Sequence, residues 1–406
     1  MIRAARGAAA VAAALLLTAP LALALSCASQ PLDKSGGSSG RSSTTGGSTS
    51  AETGGSGGEP GPTGGGSTTG GVGTGGDPIT HPGALLFDAV HVSSDAEAEH
   101  FQRATTEVDF GDEAVARATL FVELESPCFP FDKWTRASIP AGHSWPEKCD
   151  AFDRGFELAL DEPEFGSDSP PGLELGRAIT PFGGPLSMQF DVTDAVNGLA
   201  GKHQLSVKIG TWPDPEGKVS GAKGEWIVSA WLDRELGTPP RRVLAVIPLA
   251  YGSELTASRQ PIAFEAPSGA GSARIDYRVT GHGGAAASAH CIGPAEEFCR
   301  RQHSLYVDQQ LVDEFEPWRT DCSTLCTIEH YESSLLSIDY CAQNPCGATS
   351  SVRASRANWC PGSVIDTHVV EATALAVPGS HEFSWSIDQV VEGGSWLLSA
   401  TYYAFE

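Results

Sequence analysis

Basic residues are scarce in this sequence. Only 26 Lys and Arg stand against 50 Asp and Glu, a formal net charge of -24 at pH 7. So acidic a chain repels phosphate backbones, and nucleic acid is not an expected partner. Methionine is scarcer still, at two residues including the initiator. The 11 histidines show no HxH or paired spacing, the clustering that a His/Met copper site needs. No paired CxxC knuckle occurs, so zinc has no pattern to occupy. No Gly-x-Ser-x-Gly elbow occurs outside the glycine runs of residues 35–76, and no phosphate-cradling glycine loop follows a strand. After the first 26 residues no run is long and apolar enough to span a bilayer as a helix. No metal and no cofactor are expected.

The beginning of the chain is of another kind. Arg3 and Arg6 precede a small apolar run from Ala8 to Leu25, interrupted by Pro20 and ending at Ser26-Cys27. This reads as an export signal over residues 1–26, with Cys27 as a lipidation site. Residues 27–82 are expected to be a linker, Gly/Ser/Thr-rich from Ser35 to Gly76. Such sequence buries too little apolar surface to offset its ordering entropy. About 40 residues of flexible coil span roughly 35 Å, which suits a tether. The expectation is an exported protein, lipid-anchored to a bacterial membrane or cell surface or released from it, touching membrane through the anchor alone and acting as a monomer.

The ten cysteines fit an oxidising compartment. The spacings Cys128…Cys149 and Cys291…Cys299 suggest local disulfide loops. Cys322, Cys326, Cys341, Cys346 and Cys360 crowd together, and their pairing stays open at this level.

From residue 83 onward short β-type runs dominate, among them ARATLFVELE, HQLSVKIGTW, EWIVSAWL, RRVLAVIPLAY and SWLLSATYYAF. Each is rich in branched and aromatic residues and bounded by Gly, Pro, Asp or Ser. In HSLYVDQQLV, Leu305 and Val307 fall on one face while Tyr306 and Asp308 fall on the other. Ser93–Ala104 is read as a short helix. The fold class is all-β, as tandem antiparallel sandwiches or jelly rolls. The domains are placed at 83–251 and 252–406.

Two polar loops beside cysteines are candidates for chemistry. In Cys149-Asp150-Ala151-Phe152-Asp153-Arg154, a disulfide at Cys149 would fix the base from which Asp153 projects, next to Arg154. In CIGPAEEFC, a Cys291–Cys299 loop would present Glu296 and Glu297. Two carboxylates on rigid loops meet the needs of general acid–base chemistry. The plainer reading is a salt-bridged loop and a solvated acidic patch.

The string CDAFDR resembles the CDxWDR element of the peptide-N-glycosidase F family. Further stretches follow in the family's order: ELGRAITPF (Glu174–Phe182), TGHGG (Thr280–Gly284), EFCRRQH (Glu297–His303), DEFEPWRTDC (Asp313–Cys322) and NWCPGSV (Asn358–Val364). The resemblance implies two eight-stranded jelly rolls packed side by side, with the active site at their interface. It implies metal-free hydrolysis of the amide between Asn and N-acetylglucosamine, on N-glycosylated proteins or peptides. By motif, Asp153 corresponds to the main catalytic carboxylate and Glu297 to the second. Arg154, Trp212 and Trp359 fall at substrate-binding positions. The family's third carboxylate, two residues before the aromatic matched by Trp212, is replaced by Gly210. Asp214, Glu216, Glu225 and Glu296 are the nearby acids available to compensate. An alternative is a glycan-binding surface protein without hydrolysis. A remoter one is a copper monooxygenase-like protein, which shares the paired jelly-roll design but for which His282, His290 and His303 are too scattered.

Overall fold

The computed structural model describes residues 81–129, 138–163, 171–254, 260–284, 290–332 and 337–406. The export signal, Cys27 and most of the linker lie outside the described residues. Among the described residues no helix is long and apolar enough to cross a membrane.

The first domain is built from β1 (Ala84–Ser93), β2 (Arg103–Asp109), β3 (Val115–Glu125), β4 (Gly155–Leu160), β5 (Leu173–Ile179), β6 (Leu186–Asp191), β7 (Lys202–Ile209) and β8 (Glu225–Leu236), with a short helix α1 (Thr193–Gly198) between β6 and β7. One sheet runs β1-β8-β3-β6; the facing sheet runs β5-β4-β7-β2. This antiparallel order is a jelly roll. Alternation along each strand sends one row of side chains inward. Phe156 and Leu158 of β4, Leu205 and Val207 of β7, and Trp226 and Val228 of β8 meet in one buried core. Full burial of each large apolar side chain contributes about 1.5–3 kcal/mol.

The second domain repeats the plan. Its strands are β9 (Val243–Glu254), β10 (Ile262–Ala266), β11 (Ser272–Gly283), β12 (His303–Val307), β13 (Gln310–Phe315), β14 (Ile328–Glu332), β15 (Ser337–Cys341), β16 (Ser363–Val364), β17 (His368–Glu371), β18 (Gly379–Ile387) and β19 (Gly394–Phe405). Sheet β17-β11-β19-β9 faces sheet β10-β18-β12-β13, the same order as in the first domain once β14, β15 and β16 are set aside as an insertion. Leu305 and Val307 lie in its core, as their alternation implies. Tyr251, the expected boundary, lies inside β9, which pairs with β19 from Val243 to Glu254.

The insertion between β13 and β17 determines how the domains meet. Its strand β16 leaves the second domain and pairs with β5 of the first, Ser363 opposite Ile179. The turn Trp359–Gly362 is thereby carried to the domain seam. Two disulfides, Cys322–Cys360 and Cys326–Cys341, brace this excursion. They take four of the five late cysteines; Cys346 packs beside Cys128 and Cys149 in a small core. The pairs Cys128–Cys149 and Cys291–Cys299 form as their spacing suggests.

Ser93–Ala104 is not a helix: it turns and then enters β2. Asp95 explains the difference, because its carboxylate accepts the Glu97 N–H at 3.1 Å and pairs with Lys223 at 3.4 Å. A side chain that satisfies the backbone locally favours a turn over a helix.

A buried ion pair fastens the two domains. Arg177 of β5 grips Glu174 at 2.7 and 2.9 Å, and its third arm donates to the Leu397 carbonyl of β19 at 2.6 Å. Ser399 donates to the same Glu174 carboxylate.

Candidate active site at the domain seam

Alternation on β4 continues back through its entry loop. Arg154, like Phe156 and Leu158, is buried on the core side, which turns Asp153, Gly155 and Glu157 toward the second domain. Arg154 grips Asp150 with two bonds of 2.8 Å, and the Trp226 indole donates to Asp150 at 3.3 Å. Its backbone N–H donates to Thr180 Oγ1 at 2.9 Å. Arg154 was expected at the substrate; its guanidinium is spent on Asp150. It fixes the loop that presents Asp153.

Across the seam, Glu297 stands on a single 3₁₀ turn, Glu296–Phe298, inside the Cys291–Cys299 loop. Arg356 donates to Glu297 Oε1 at 2.5 Å and to Ser351 at 2.9 and 3.1 Å. Its guanidinium lies 4.4 Å from the Trp359 ring centre and 4.6 Å from that of Phe298, a cation–π arrangement. Arg356 was not read from the sequence. It precedes Trp359 by three residues, at the edge of the NWCPGSV stretch, and its partner Glu297 is distant in the chain.

Asp153 keeps a solvent-facing edge, yet its carboxyl is pushed up to about 7. Burial is the main cause. The Arg356 charge opposes it, the Glu297 charge adds to it, and Arg154 opposes it again. Asp153 and Glu297, together with Arg356, therefore share one electrostatic environment at the seam. A carboxyl held near neutrality beside a second carboxylate is suited to move protons at pH 7.

Trp359 is buried at 2% exposure, with its indole donating to the Gly281 carbonyl at 2.9 Å. Its ring stacks on His282 at 5.4 Å between centroids. Burial, then the charges of Arg177 and Arg356, lower the His282 pKa to about 3, so this imidazole is neutral. Trp359 is thus a wall of the seam rather than a platform open to a ligand. Trp212 is the opposite case, 68% exposed. The turn behind it is pinned by the Gln102 amide on the Thr211 carbonyl.

Gly210 donates its N–H to the Gly155 carbonyl at 3.1 Å. A Cβ on either glycine would meet no atom within 4 Å. The floor beside Asp153 is bare where the resembled family carries an acid.

The four nearby acids do other work. Glu296 is fully enclosed: Arg301 donates to it at 2.7 and 3.1 Å, the Trp396 indole at 2.9 Å and the Val391 N–H at 2.9 Å. Glu225 precedes the inward-facing Trp226, so alternation turns it outward, where Lys148 and His91 each meet it at 3.1 Å. Asp214 organises its own loop. Although partial burial works against this, the backbone N–H groups of Val219, Ser220, Lys218 and Glu216 hold its carboxyl below the ordinary range. Glu216 is exposed on the same loop. None of the four is among the main charges acting on Asp153. Among the described residues no cluster of three or more His, Cys, Asp and Glu side chains is arranged to hold a metal ion.

A pair of jelly rolls of identical strand order, with Asp153 and Glu297 in one electrostatic environment at the seam, defines a two-domain β-sandwich protein of the peptide-N-glycosidase F fold. Residues 250–402 match the family model described as peptide-N-glycosidase F, C terminal, and the second domain belongs to that family. The chain is similar to PNGase F, a glycosylasparaginase from Flavobacterium meningosepticum, at 19% identity and a TM-score of 0.55, covering 79% of this chain and 94% of that one. It is similar to a peptide-N(4)-(N-acetyl-beta-D-glucosaminyl) asparagine amidase at 18% identity and a TM-score of 0.56, covering 80% and 95%. The structure of PNGF-II matches at 16% identity and a TM-score of 0.57, over 79% of this chain and 65% of that one. At these identities the likeness establishes the fold. No curated protein sequence matches the chain.

Proposed function

We propose that the protein is an exported amidase that cleaves the bond between Asn and the first sugar of N-glycosylated proteins or peptides, without metal or cofactor. One observation carries this reading: Asp153, pushed up to about 7, stands at the seam in the same electrostatic environment as Glu297. Asp153 takes a proton from the water that attacks the Asn carbonyl carbon. The same group returns that proton to the departing sugar amine as the C–N bond breaks. Asn becomes Asp and the sugar leaves as a glycosylamine. Glu297, oriented by Arg356, assists the proton transfer, and Trp212 offers its exposed face to the glycan. The disulfides fit an extracytoplasmic site of action, and a lipid on Cys27 would hold the domains near a membrane.

The test is incubation of the purified protein with a denatured N-glycoprotein, followed by mass spectrometry of the released site. Asn-to-Asp conversion that disappears in Asp153→Asn supports the reading; conversion that persists in that variant overturns it. A second reading, glycan binding without hydrolysis, is favoured by the bare floor at Gly210 beside the exposed Trp212. It predicts sugar binding in Asp153→Asn and no conversion by either form.

A further inference from the structure

A cavity of about 600 Å³ opens between the domains, and its lining includes neither Asp153, Glu297, Arg356 nor Trp212. Its volume falls in the range of small-molecule sites. The lining brings together β11, β17 and β19 of the second domain with β5 and α1 of the first, and it contains Arg117, Arg241, Arg274 and Arg278.

The carboxylates on these walls already have donors. Asp194 accepts from Arg241 at 2.7 Å and Arg274 at 2.9 Å, and Asp276 accepts from Arg274 at 2.5 Å. Glu174 is gripped by Arg177. Asp191 accepts the N–H and hydroxyl of Thr193 at 2.9 and 2.6 Å. Arg278 is different. It donates to the Glu174 carbonyl at 3.0 Å, and among the described residues no carboxylate lies within ion-pair distance of it. Beside it, Tyr403 is 6% exposed. Burial, then the charge of Asp276, keeps its phenol protonated. The Tyr403 hydroxyl has no hydrogen-bond partner among the described residues. Arg117 is 59% exposed and 4.0 Å from Glu235, a loose pairing that leaves it available at the rim. A half-buried guanidinium without a counter-charge, on the same cavity wall as a tyrosine hydroxyl without a protein acceptor, presents two kinds of donor and a positive charge.

We propose that this cavity binds a small oxyanion, a carboxylate or a phosphate, held by Arg278 and the Tyr403 hydroxyl with Arg117 at the rim. This site does not depend on the amidase reading.

The test is calorimetric titration of the purified full chain, at fixed ionic strength, with inorganic phosphate, with glucuronate, and with glucose as the uncharged control. One anion is expected to bind with a Kd of about 1 mM or tighter, and the two arms distinguish phosphate from carboxylate. Arg278→Gln should weaken that binding at least tenfold, Tyr403→Phe about threefold, and Asp153→Asn not at all. Absence of binding by both anions, equal binding of glucose, or undiminished affinity in Arg278→Gln overturns the proposal. Should Arg278→Gln fail to fold, Tyr403→Phe decides, and wild-type affinity in that variant has the same consequence.

Discussion

Glu296 and Glu297 are neighbours in sequence with opposite surroundings. Glu296 is sealed against Arg301, Trp396 and Val391, whereas Glu297 is 25% exposed and meets Arg356 at the seam. Their substitutions should separate accordingly. Glu296→Gln leaves the Arg301 charge buried without its counter-charge, a change expected to cost about 3–5 kcal/mol. Glu297→Gln also takes the counter-charge from the buried Arg356, but it keeps an acceptor at a partly open position and leaves the Ser351 bonds, so it should cost less, about 1–3 kcal/mol. It removes a group that can carry a proton, so deglycosylation should fall by roughly 100-fold. Chemical denaturation and glycopeptide turnover, measured on both variants, check this pair. Equal loss of stability in the two would mean that Glu297 is structural as well.

The elevated Asp153 carboxyl gives a pH signature that does not require substrate. Unfolded, the group ionises near 3.8; folded, it ionises at about 7. The folded state therefore holds the proton more tightly. The resulting stabilisation is complete below about pH 4 and is lost as pH rises through about 7. Asp153→Asn has no such proton to lose. Its stability relative to wild type should grow between about pH 4 and pH 8, to a difference on the order of 2 kcal/mol once the solvent-facing edge is allowed for. Thermal melts of both proteins across that window test it, and parallel curves would show an ordinary carboxyl. Arg356 opposes the elevation, so Arg356→Gln should move the Asp153 titration further upward.

Much of this arrangement was legible in the chain. The short β-type runs marked both sandwiches, and the spacings of Cys128 with Cys149 and Cys291 with Cys299 marked the loops that carry Asp153 and Glu297. What the sequence concealed depends on contacts between distant segments. Arg356 becomes a seam residue because β16 crosses to β5, and a two-residue strand leaves almost no pattern to read. The Glu-Glu pair looked like a solvated patch, since nothing local reveals that Trp396 and Val391 close over Glu296. The Ser93–Ala104 segment lost its helix to the side-chain hydrogen bond of Asp95. Arg154, beside Asp153 in sequence, points away from it because β alternation separates neighbours onto opposite faces.

Gly210 offers a gain-of-function test. Its position has room for a side chain, since a Cβ there meets nothing within 4 Å, and Gly155 next to it is equally open. A side chain can therefore start from this exposed position without a clash at its Cβ. Gly210→Glu should fold normally, with its melting temperature within a few degrees of wild type. If the missing carboxylate limits the rate, conversion of an N-glycopeptide should rise by tenfold or more. If the domains bind glycans without hydrolysing them, the variant should remain inert while still binding. A marked fall in melting temperature would show that the floor beside Asp153 is not as open as its geometry indicates.

Trp212 and Trp359 provide the last contrast, because the resemblance assigns both to substrate and the structure treats them differently. Trp359 is enclosed by Arg356, His282 and the Gly281 carbonyl. Trp359→Ala should open a cavity and cost about 3–5 kcal/mol, and it would release Arg356 from its place beside Glu297. Loss of activity in that variant would accompany loss of structure. Trp212 is 68% exposed, so Trp212→Ala removes little packing and should change stability by about 0.5 kcal/mol or less. A sugar ring stacked on that face would lose roughly 1–2 kcal/mol, seen as a roughly five- to thirtyfold rise in KM with kcat nearly unchanged. A Trp212→Ala protein that binds glycopeptide as tightly as wild type would mean that this exposed ring faces something other than the glycan.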